Sequence, residues 1–475
     1  MRVHLADIQD QDQFDVCIIG SGPAGITCAL QLAENGKRVL ILEGGDEKYT
    51  KQSQDIYSGT IDGDPYYPLT VVRLRQFGGT SGHWSGWCRP LAAQDFETKG
   101  TNTDVAWPIK KYDLDPYLDQ ARDILELKRF DPDQLLGESE FAQVFFSYSP
   151  VRFADKFGEA LSKSPTIHLA LRANLTEIET NGSAITGLQV AHFSGAMKRV
   201  RALDYILACG GIENSRVLLW SNQKSNGRLV KNSAMLGTHW MEHPEFNVGE
   251  AILSTRFNFK FDERGIVRFS PTQTLIAKED ILNCVVEFRE TSYSAAKKII
   301  ADIACVAPTY GRWAFKMLNK DLVCATRFRA TWEQEPRSVN RITLGEDRDQ
   351  FGIPKTILHW RKSDKDFKTV RVVVEKLAQH MAQKDIGRIK IKPWVLGEAD
   401  PPINDALVGY HHLGGTRMAS TPDNGVVDAD CRVFGQSNLF VAGSSVFPSG
   451  GFANPTLTIV QLALRLSRTI ASRNR

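Results

Sequence analysis

The stretch that decides the fold is Phe14-Asp-Val-Cys-Ile-Ile-Gly-Ser-Gly-Pro-Ala-Gly25, near the start of the chain. Its first six residues form a short apolar run that is typical of a buried parallel strand. Gly20, Gly22 and Gly25 then complete a GxGxxG turn, in which the first glycine allows a tight turn and the second lets the backbone approach a pyrophosphate. The third glycine lets the following helix pack closely on the strand.

The residues that follow supply the rest of a dinucleotide-binding fingerprint. Ile26 to Asn35 predicts a helix, Arg38 to Leu42 predicts a second strand, and Glu43 closes that strand. An acid at this place is expected to hold a ribose hydroxyl. The order of strand, glycine turn, helix, strand and acid predicts an α/β fold with a Rossmann-like dinucleotide-binding domain, against the alternative of an ordinary glycine-rich turn.

Glu43 by itself is compatible with either FAD or NAD. The chain contains no second GxGxxG, which an enzyme that uses a nicotinamide as well as a flavin usually carries. Near the C-terminus, the apolar stretch Asn438 to Ala442 breaks at Gly443-Ser444, a turn suited to a flavin's ribityl chain and pyrophosphate. These features favour FAD.

A second glycine-rich segment reads Gly78-Gly-Thr-Ser-Gly-His-Trp84. It has little periodicity and a well-exposed backbone, which suits a loop that presses against a flat aromatic ligand. His83 within it has a plainer alternative as a surface or core histidine.

Two short C-terminal motifs carry the candidate chemistry. His411 and His412 precede a glycine pair, and Asn454 precedes Pro455-Thr456 at the predicted start of a long helix that ends near Arg473. An imidazole and an amide beside a flavin suggest proton abstraction from a substrate. The plainer alternatives are half-buried strand histidines bonded to backbone, and an Asn that serves only as the N-cap of a helix beginning at Pro455.

Composition excludes several classes of protein. The chain has 475 residues, with 58 Lys and Arg against 55 Asp and Glu, and no basic run that would suit a nucleic acid. Its eight Cys form no CxxC pair, so neither a metal site nor a disulfide framework is indicated. No stretch is long and apolar enough for a signal peptide or membrane span, and we expect a cytoplasmic protein.

The order of patterns predicts three segments. Residues 1–248 form the cofactor domain, with loop-rich excursions near 51–76 and 108–165. Residues 249–404 form a substrate-binding domain on an antiparallel sheet, in which Asp364 to Lys384 is an amphipathic helix. Residues 405–475 return to the cofactor domain and carry the candidate histidines and asparagine.

These motifs, in this order, resemble the glucose-methanol-choline (GMC) oxidoreductases. The likeness rests on the GxGxxG turn, Gly78 to Trp84, Gly210-Gly-Ile-Glu-Asn214, His412-Leu-Gly-Gly-Thr-Arg-Met418, the Asn438 stretch and Ala453-Asn-Pro-Thr456. The Gly-Gly-x-Ser-x-His-Trp and Ala-Asn-Pro-Thr-Leu-Thr patterns are similar to the pyranose oxidase branch. Residues 249 to about 400 match weakly.

The resemblance implies a fold of the GMC and p-hydroxybenzoate hydroxylase type and an FAD-dependent enzyme that oxidises an alcohol or sugar. It assigns His412 as the base that takes the hydroxyl proton and Asn454 as its partner on the substrate oxygen. Only one of the neighbours His411 and His412 can face the flavin if they lie on a strand, and whether His411 shares the role stays open. Hydride passes to flavin N5, and oxygen or another acceptor reoxidises the flavin. It also implies that His83 carries the flavin covalently; the alternative is packing or hydrogen bonding without a bond. The cofactor-binding residues predicted in all are Gly20, Ser21, Gly22, Pro23, Ala24, Gly25, Glu43, Gly78, Gly79, Thr80, Ser81, His83, Trp84, Leu175, Gly443, Ser444, Asn454, Pro455 and Thr456.

Two other functions compete with a sugar-like secondary alcohol oxidoreductase. One is a flavoenzyme of another class on the same fold, such as a hydroxylase or isomerase. The other is a flavin-binding protein without catalysis, which the presence of both His412 and Asn454 argues against. The choice between oxygen and another acceptor, and the oligomeric state, stay open.

Overall fold

The architecture is taken from a computed structural model that describes residues 1–9, 12–97, 105–253, 259–290, 326–401 and 406–473. A five-stranded parallel sheet lies at its centre, and we call it the nucleotide sheet. In spatial order its strands are Leu439–Val441, Ala202–Leu207, Phe14–Ile19, Val39–Leu42 and Ile167–Ala170. The α/β class, the first strand and the glycine turn predicted from the sequence are thus confirmed.

Two helices, from opposite ends of the chain, pack together beside this sheet. The first, Pro23–Glu34, follows the GxGxxG turn, and the last is Thr456–Ala471. The thiol of Cys28 on the first helix meets the backbone oxygen of Ala463 on the last at 3.6 Å. Apolar faces of both helices are buried in the core of the nucleotide sheet, which ties the C-terminus to the start of the chain.

A three-stranded antiparallel sheet follows the last edge strand of the nucleotide sheet. It consists of Ala173–Thr180, Ile185–His192 and Met197–Val200. Its first turn holds Asn181 and Gly182, and Gly182 has φ +104, a conformation that glycine adopts without strain. The strand that precedes this sheet, Ile167–Ala170, belongs to the nucleotide sheet instead.

The second large sheet has eight antiparallel strands, and we call it the substrate sheet. Its strands, in spatial order, are Gly387–Ile391, Pro244–Leu253, Thr326–Trp332, Cys284–Glu290, Ile266–Pro271, Phe141–Gln143 and Gln134–Leu135, with Ala406–Val408 also paired to Pro244–Leu253. The helix Asp364–Gln383 packs on it through Val370, Val373, Val374 and Leu377, as its amphipathic pattern predicted. Two of the strands come from the 108–165 excursion.

A second three-stranded sheet departs from the prediction. The strands Arg341–Arg348 and Pro354–Trp360, which the sequence placed in the antiparallel sheet, pair with each other and with Gly59–Gly63. Gly59–Gly63 lies in the stretch predicted to be loop-rich. It is a partly exposed edge strand in which Ile61 is the one large apolar residue, so it has no apolar alternation that would reveal it.

Shorter elements complete the described structure. The helices are Lys51–Gln54, Leu118–Leu125, Phe153–Lys163, Glu213–Lys224, Gln273–Glu279 and Pro393–Leu396, and the strands Trp87–Cys88 and Ser147–Tyr148 pair with each other. No helix within the described ranges combines the length and the apolar character needed to cross a bilayer.

Candidate active site

A cavity of about 710 Å³ lies where the carboxyl ends of the parallel strands meet the substrate sheet. The turns after three strands of the nucleotide sheet line it, at residues 20–24, 208–212 and 442–444. The loop at 79–84 and the start of the last helix complete the wall. Ligands of open parallel sheets bind at this edge, and the structure brings both sequence motifs to it.

The three glycines of the first turn have different surroundings. A Cβ on Gly20 would lie 2.4 Å from the oxygen of Ala208, and one on Gly25 would lie 2.0 Å from the oxygen of Gly20. A Cβ on Gly22 would meet nothing within 4 Å, because this residue faces the cavity. Gly20 and Gly25 are thus required by backbone packing, whereas Gly22 leaves room for a ligand. This is the arrangement that a pyrophosphate on the backbone needs.

Glu43 follows the second strand, and hydrogen bonds hold its carboxylate at the cavity wall. Its Oε2 accepts hydrogen bonds from the Ser21 N–H at 3.0 Å and the Ser21 hydroxyl at 2.6 Å, and its Oε1 accepts the Gly45 N–H at 2.7 Å. The carboxylate therefore fixes the glycine turn as well as facing the expected ribose position. On the opposite wall Gly443 has φ +114 and open space beyond its Cα.

Both long helices at the cavity begin without a side-chain cap. The helix Pro23–Glu34 starts at Gly22, and Thr456–Ala471 starts at Pro455. Their free N–H groups and positive dipole ends are available to an anionic ligand. Asn454 is therefore not the N-cap that a plain reading of Asn-Pro gives, and the helix starts one residue later than predicted. With Gly22 and Glu43, these features fit a bound FAD.

The side-chain amide of Asn454 points at an imidazole, and that imidazole belongs to His411. The Asn454 Nδ2 lies 3.0 Å from the His411 Nε2, and both residues line the cavity. The family resemblance paired Asn454 with His412, on the assumption that residues 411 and 412 lie on a regular strand. The segment is not a strand there, and Tyr410 has φ +55, so strand alternation does not govern which ring faces Asn454. This contact corrects the predicted pairing.

His412 lies on another part of the cavity wall. Its Nε2 is 3.1 Å from the Tyr66 hydroxyl, and its backbone packs on Gly211. The Tyr66 hydroxyl donates to the Glu242 Oε2 at 2.5 Å. His412 is thus one end of a chain of polar groups that leads into the protein, next to the apolar cluster around Trp240.

Burial keeps both imidazoles neutral. Burial and, to a smaller extent, the nearby Arg73 guanidinium together lower the pKa of His412 to about 3. Burial, together with His243 and His412, holds the pKa of His411 well below its ordinary value. A neutral imidazole offers a lone pair and can accept a proton, although the dry surroundings disfavour a lasting imidazolium.

The glycine-rich loop reaches the cavity as expected. Gly79–Gly82 forms a short 3-10 turn, after which the exposed His83 lines the cavity. The Ser81 hydroxyl donates to the Gly78 oxygen at 2.7 Å and accepts the Phe153 N–H at 3.1 Å, so the loop is held at its base. Burial, with a contribution from Arg152, lowers the pKa of His83.

Most of the predicted cofactor residues line the cavity, and three do not. Gly25 packs against the turn, and the Gly78 N–H donates to the Ser21 hydroxyl at 3.2 Å beneath it. Leu175 is a buried residue of the antiparallel strand Ala173–Thr180, where it pairs with Val190. The prediction that Leu175 contacts the cofactor is therefore corrected, because its strand belongs to the three-stranded antiparallel sheet and not to the nucleotide sheet.

The sequence did not reveal several polar residues at the site. Tyr66 lies in a Tyr-Tyr-Pro run that reads only as loop, and Glu242 and His243 precede a proline without periodicity. Glu245, Arg268 and Glu287 reach the cavity from the substrate sheet. The unusual Met-Glu-His-Pro run was the one local signal that could have drawn attention to Glu242 and His243.

Comparison with known proteins fits this geometry. Residues 336–463 match the GMC oxidoreductase family, and residues 15–63 match the FAD binding domain family. The chain is similar to the GMC oxidoreductases in the part that carries the candidate histidines and asparagine. It is an FAD-dependent oxidoreductase of the class that acts on CH–OH donors.

Curated relatives align along nearly the whole chain. The chain is 24% identical to 2-methyl-1,2-propanediol dehydrogenase of Mycolicibacterium austroafricanum, over 97% of this chain and 96% of the relative. It is 23% identical to C-glycoside 3-oxidase of Microbacterium trichothecenolyticum, over 97% and 96%. It is 26% identical to paromamine 6'-oxidase of Streptomyces fradiae, over 98% and 93%.

Solved structures share the fold. Pyridoxine 4-oxidase from Mesorbium loti superposes with a TM-score of 0.62 at 15% identity, covering 97% of this chain and 100% of the other chain. A variant of Aspergillus oryzae formate oxidase gives a TM-score of 0.57 at 16% identity, covering 98% and 99%. The predicted GMC fold and FAD cofactor are thereby confirmed.

Proposed function

We propose that this protein oxidises a secondary hydroxyl of a sugar, glycoside or sugar-like polyol to a ketone. The observation that carries the proposal is the contact between the Asn454 Nδ2 and the His411 Nε2 at 3.0 Å, on a cavity that fits FAD. An amide donor and an imidazole acceptor at this separation can share one hydroxyl group, because the hydroxyl accepts from one and donates to the other.

In this proposal His411 is the base. The substrate oxygen accepts a hydrogen bond from the Asn454 amide, and its O–H donates to the His411 Nε2 lone pair. The family resemblance assigned this role to His412, but the His412 ring contacts Tyr66 and the Trp240 cluster. Bound FAD supplies the acceptor for the hydride that leaves the carbinol carbon. The positive end of the helix Thr456–Ala471 stabilises negative charge nearby.

The cavity wall supports a polyhydroxylated substrate. Glu245, Arg268, Glu287 and Thr331 present charged and hydroxyl groups from the substrate sheet, beside the rings of Trp87 and Phe452. Polar groups that bind hydroxyls, next to aromatic faces that pack on the apolar side of a sugar ring, suit such a ligand. Relatives named as a C-glycoside 3-oxidase and a paromamine oxidase support the same substrate class.

We also retain five finer proposals. A pyranose oxidase-like branch is supported by the loop that carries His83 to the cavity, and covalent attachment of FAD through His83 belongs with it. The electrons pass to oxygen or another acceptor. The free cysteines of the described residues support a cytoplasmic location. The division at residues 249 and 404 remains our proposal for the domains.

An anaerobic screen of sugars, glycosides and polyols tests the function, with loss of oxidised flavin absorbance as the readout. We expect rapid bleaching by at least one secondary alcohol and formation of the ketone. Bleaching only by NADPH, with no alcohol active, would indicate a hydroxylase and overturn the proposal.

A further inference from the structure

The imidazole of His411 contacts a second, fully buried imidazole. Its Nδ1 lies 2.9 Å from the Nδ1 of His243, whose ring stands nearly perpendicular to it at 80°. The Asn454 amide donates to the Nε2 of His411, so the hydrogen of that neutral ring is on Nδ1. The His411 Nδ1–H therefore donates to the His243 Nδ1, which accepts.

A buried carboxylate accepts hydrogen bonds from the backbone N–H groups of both histidines. The Glu242 Oε1 accepts the N–H of His411 at 2.6 Å and the N–H of His243 at 2.9 Å. Its Oε2 accepts the Tyr66 hydroxyl at 2.5 Å. The side chain is 0% exposed, and none of the ion pairs in the described part of the chain involves it. A buried anion of this kind is costly unless positive charge forms close to it.

Building on the proposed function, we propose that His411 and His243 form a two-imidazole proton relay, with Glu242 as the positioning residue that balances its charge. The substrate O–H bond breaks as an Nε2–H bond forms on His411. The His411 Nδ1–H bond breaks as an Nδ1–H bond forms on His243. The carbinol hydrogen leaves with its electron pair to the flavin. His411 ends neutral, and the positive charge is on His243, beside the carboxylate.

The charged and titratable groups around the relay are consistent with this direction. Tyr66 and Glu245 face Glu242, and His412 faces His411. Burial raises the pKa of Glu242 to about 7, so the carboxylate gains its charge in the neutral range. The Arg73 guanidinium lowers the pKa of His412 and is not among the charges that shift the pKa of His411.

His243→Asn tests the relay. The Asn side-chain oxygen can still accept from the His411 Nδ1–H, but an amide cannot take the proton. We expect FAD to stay bound and anaerobic flavin reduction to slow by about 10-fold or more. In mixtures of H₂O and D₂O, a plot of the wild-type reduction rate against the deuterium fraction should be curved, because two protons move. The same plot for the variant should be a straight line, because only one proton moves. The matched control is His239→Asn, a buried histidine with φ +56 that does not line the cavity.

An unchanged rate and an unchanged curve in His243→Asn would overturn the relay. The proposed function would survive that result, because the wild-type enzyme would still oxidise its alcohol. If no alcohol reduces the wild-type flavin, the proposed function itself fails.

Glu242→Gln tests the counter-ion. The variant keeps the shape and an oxygen for the two backbone N–H groups but removes the charge. Well below pH 7 the wild-type carboxyl is protonated, so the two rates should be similar. Above pH 7 the wild type should be faster by about 10-fold or more. A ratio that does not change with pH would show that Glu242 has only a structural role and would contradict this part of the proposal.

Discussion

The Nδ2 of Asn454 lies 3.0 Å from the Nε2 of His411, and the neighbouring His412 makes no such contact. Two adjacent histidines therefore have different chemical surroundings. His411 faces the start of the last helix and the substrate sheet, whereas His412 faces Tyr66. We therefore assign different roles to His411 and His412, although they are adjacent in the sequence.

Substitution of each histidine in turn tests the assignment. We expect His411→Ala to keep FAD bound and to slow anaerobic flavin reduction by ~10²-fold or more, the usual size of a general-base contribution. His412→Ala, its matched control, should slow reduction much less. Stopped-flow absorbance of the flavin with an active alcohol measures both. The reverse order would return the role of base to His412.

Replacement of Gly22 tests the cofactor cradle. A Val side chain at Gly22 would occupy the open space that faces the cavity, so we expect Gly22→Val to fold but to purify without yellow colour. The control is Gly345→Ala, on a strand far from the first turn, where the new Cβ makes ordinary 3.4 Å contacts. Flavin absorbance and circular dichroism measure the two properties. A yellow Gly22→Val protein would contradict our placement of the pyrophosphate.

His83 tests the covalent link. We expect acid precipitation of the native enzyme to give a yellow pellet and that of His83→Ala to release all of its FAD, since an imidazole nitrogen would carry the bond. The variant should still bind FAD before denaturation, because the glycine turn and Glu43 remain intact. Colourless wild-type pellets would show that His83 only packs against the flavin.

Glu242 gives a prediction for stability. Its folded pKa of about 7 is higher than its ordinary value of 4.5, so between these values the folded state binds more protons than the unfolded state. This contribution stabilises the protein at low pH and is lost as pH rises through about 7. Glu242→Gln has no such loss. Relative to wild type, its melting temperature without substrate should therefore rise between pH 5 and pH 8. An equal difference at both pH values would contradict a titrating carboxyl.

The cofactor half of the fold could be predicted because its signals are local. Gly20, Gly22, Gly25 and Glu43 lie within one contiguous βαβ unit, where short-range packing and turn geometry decide the structure. The helix Asp364–Gln383 was predicted for a similar reason, since one apolar face repeats along it.

The site itself depended on contacts that sequence patterns do not encode. Tyr66 reaches Glu242 across 176 residues, and His243 reaches His411 across 168. The pairing of Asn454 with the first histidine depends on an irregular backbone at Tyr410, which a strand pattern cannot express. The sheet formed by Gly59–Gly63, Pro354–Trp360 and Arg341–Arg348 was not predicted. Gly59–Gly63 has no apolar periodicity, and it pairs with a strand that is distant in the sequence.

The position of Leu439–Val441 at the edge of the nucleotide sheet has a consequence for biosynthesis. This strand pairs with Ala202–Leu207, and the helix after it packs on Pro23–Glu34. Most of the polypeptide must therefore leave the ribosome before the earliest-made strand and helix gain their full set of neighbours. We expect the nascent N-terminal half to stay incompletely folded until the helix Thr456–Ala471 has left the ribosome, and the flavin to be captured only then.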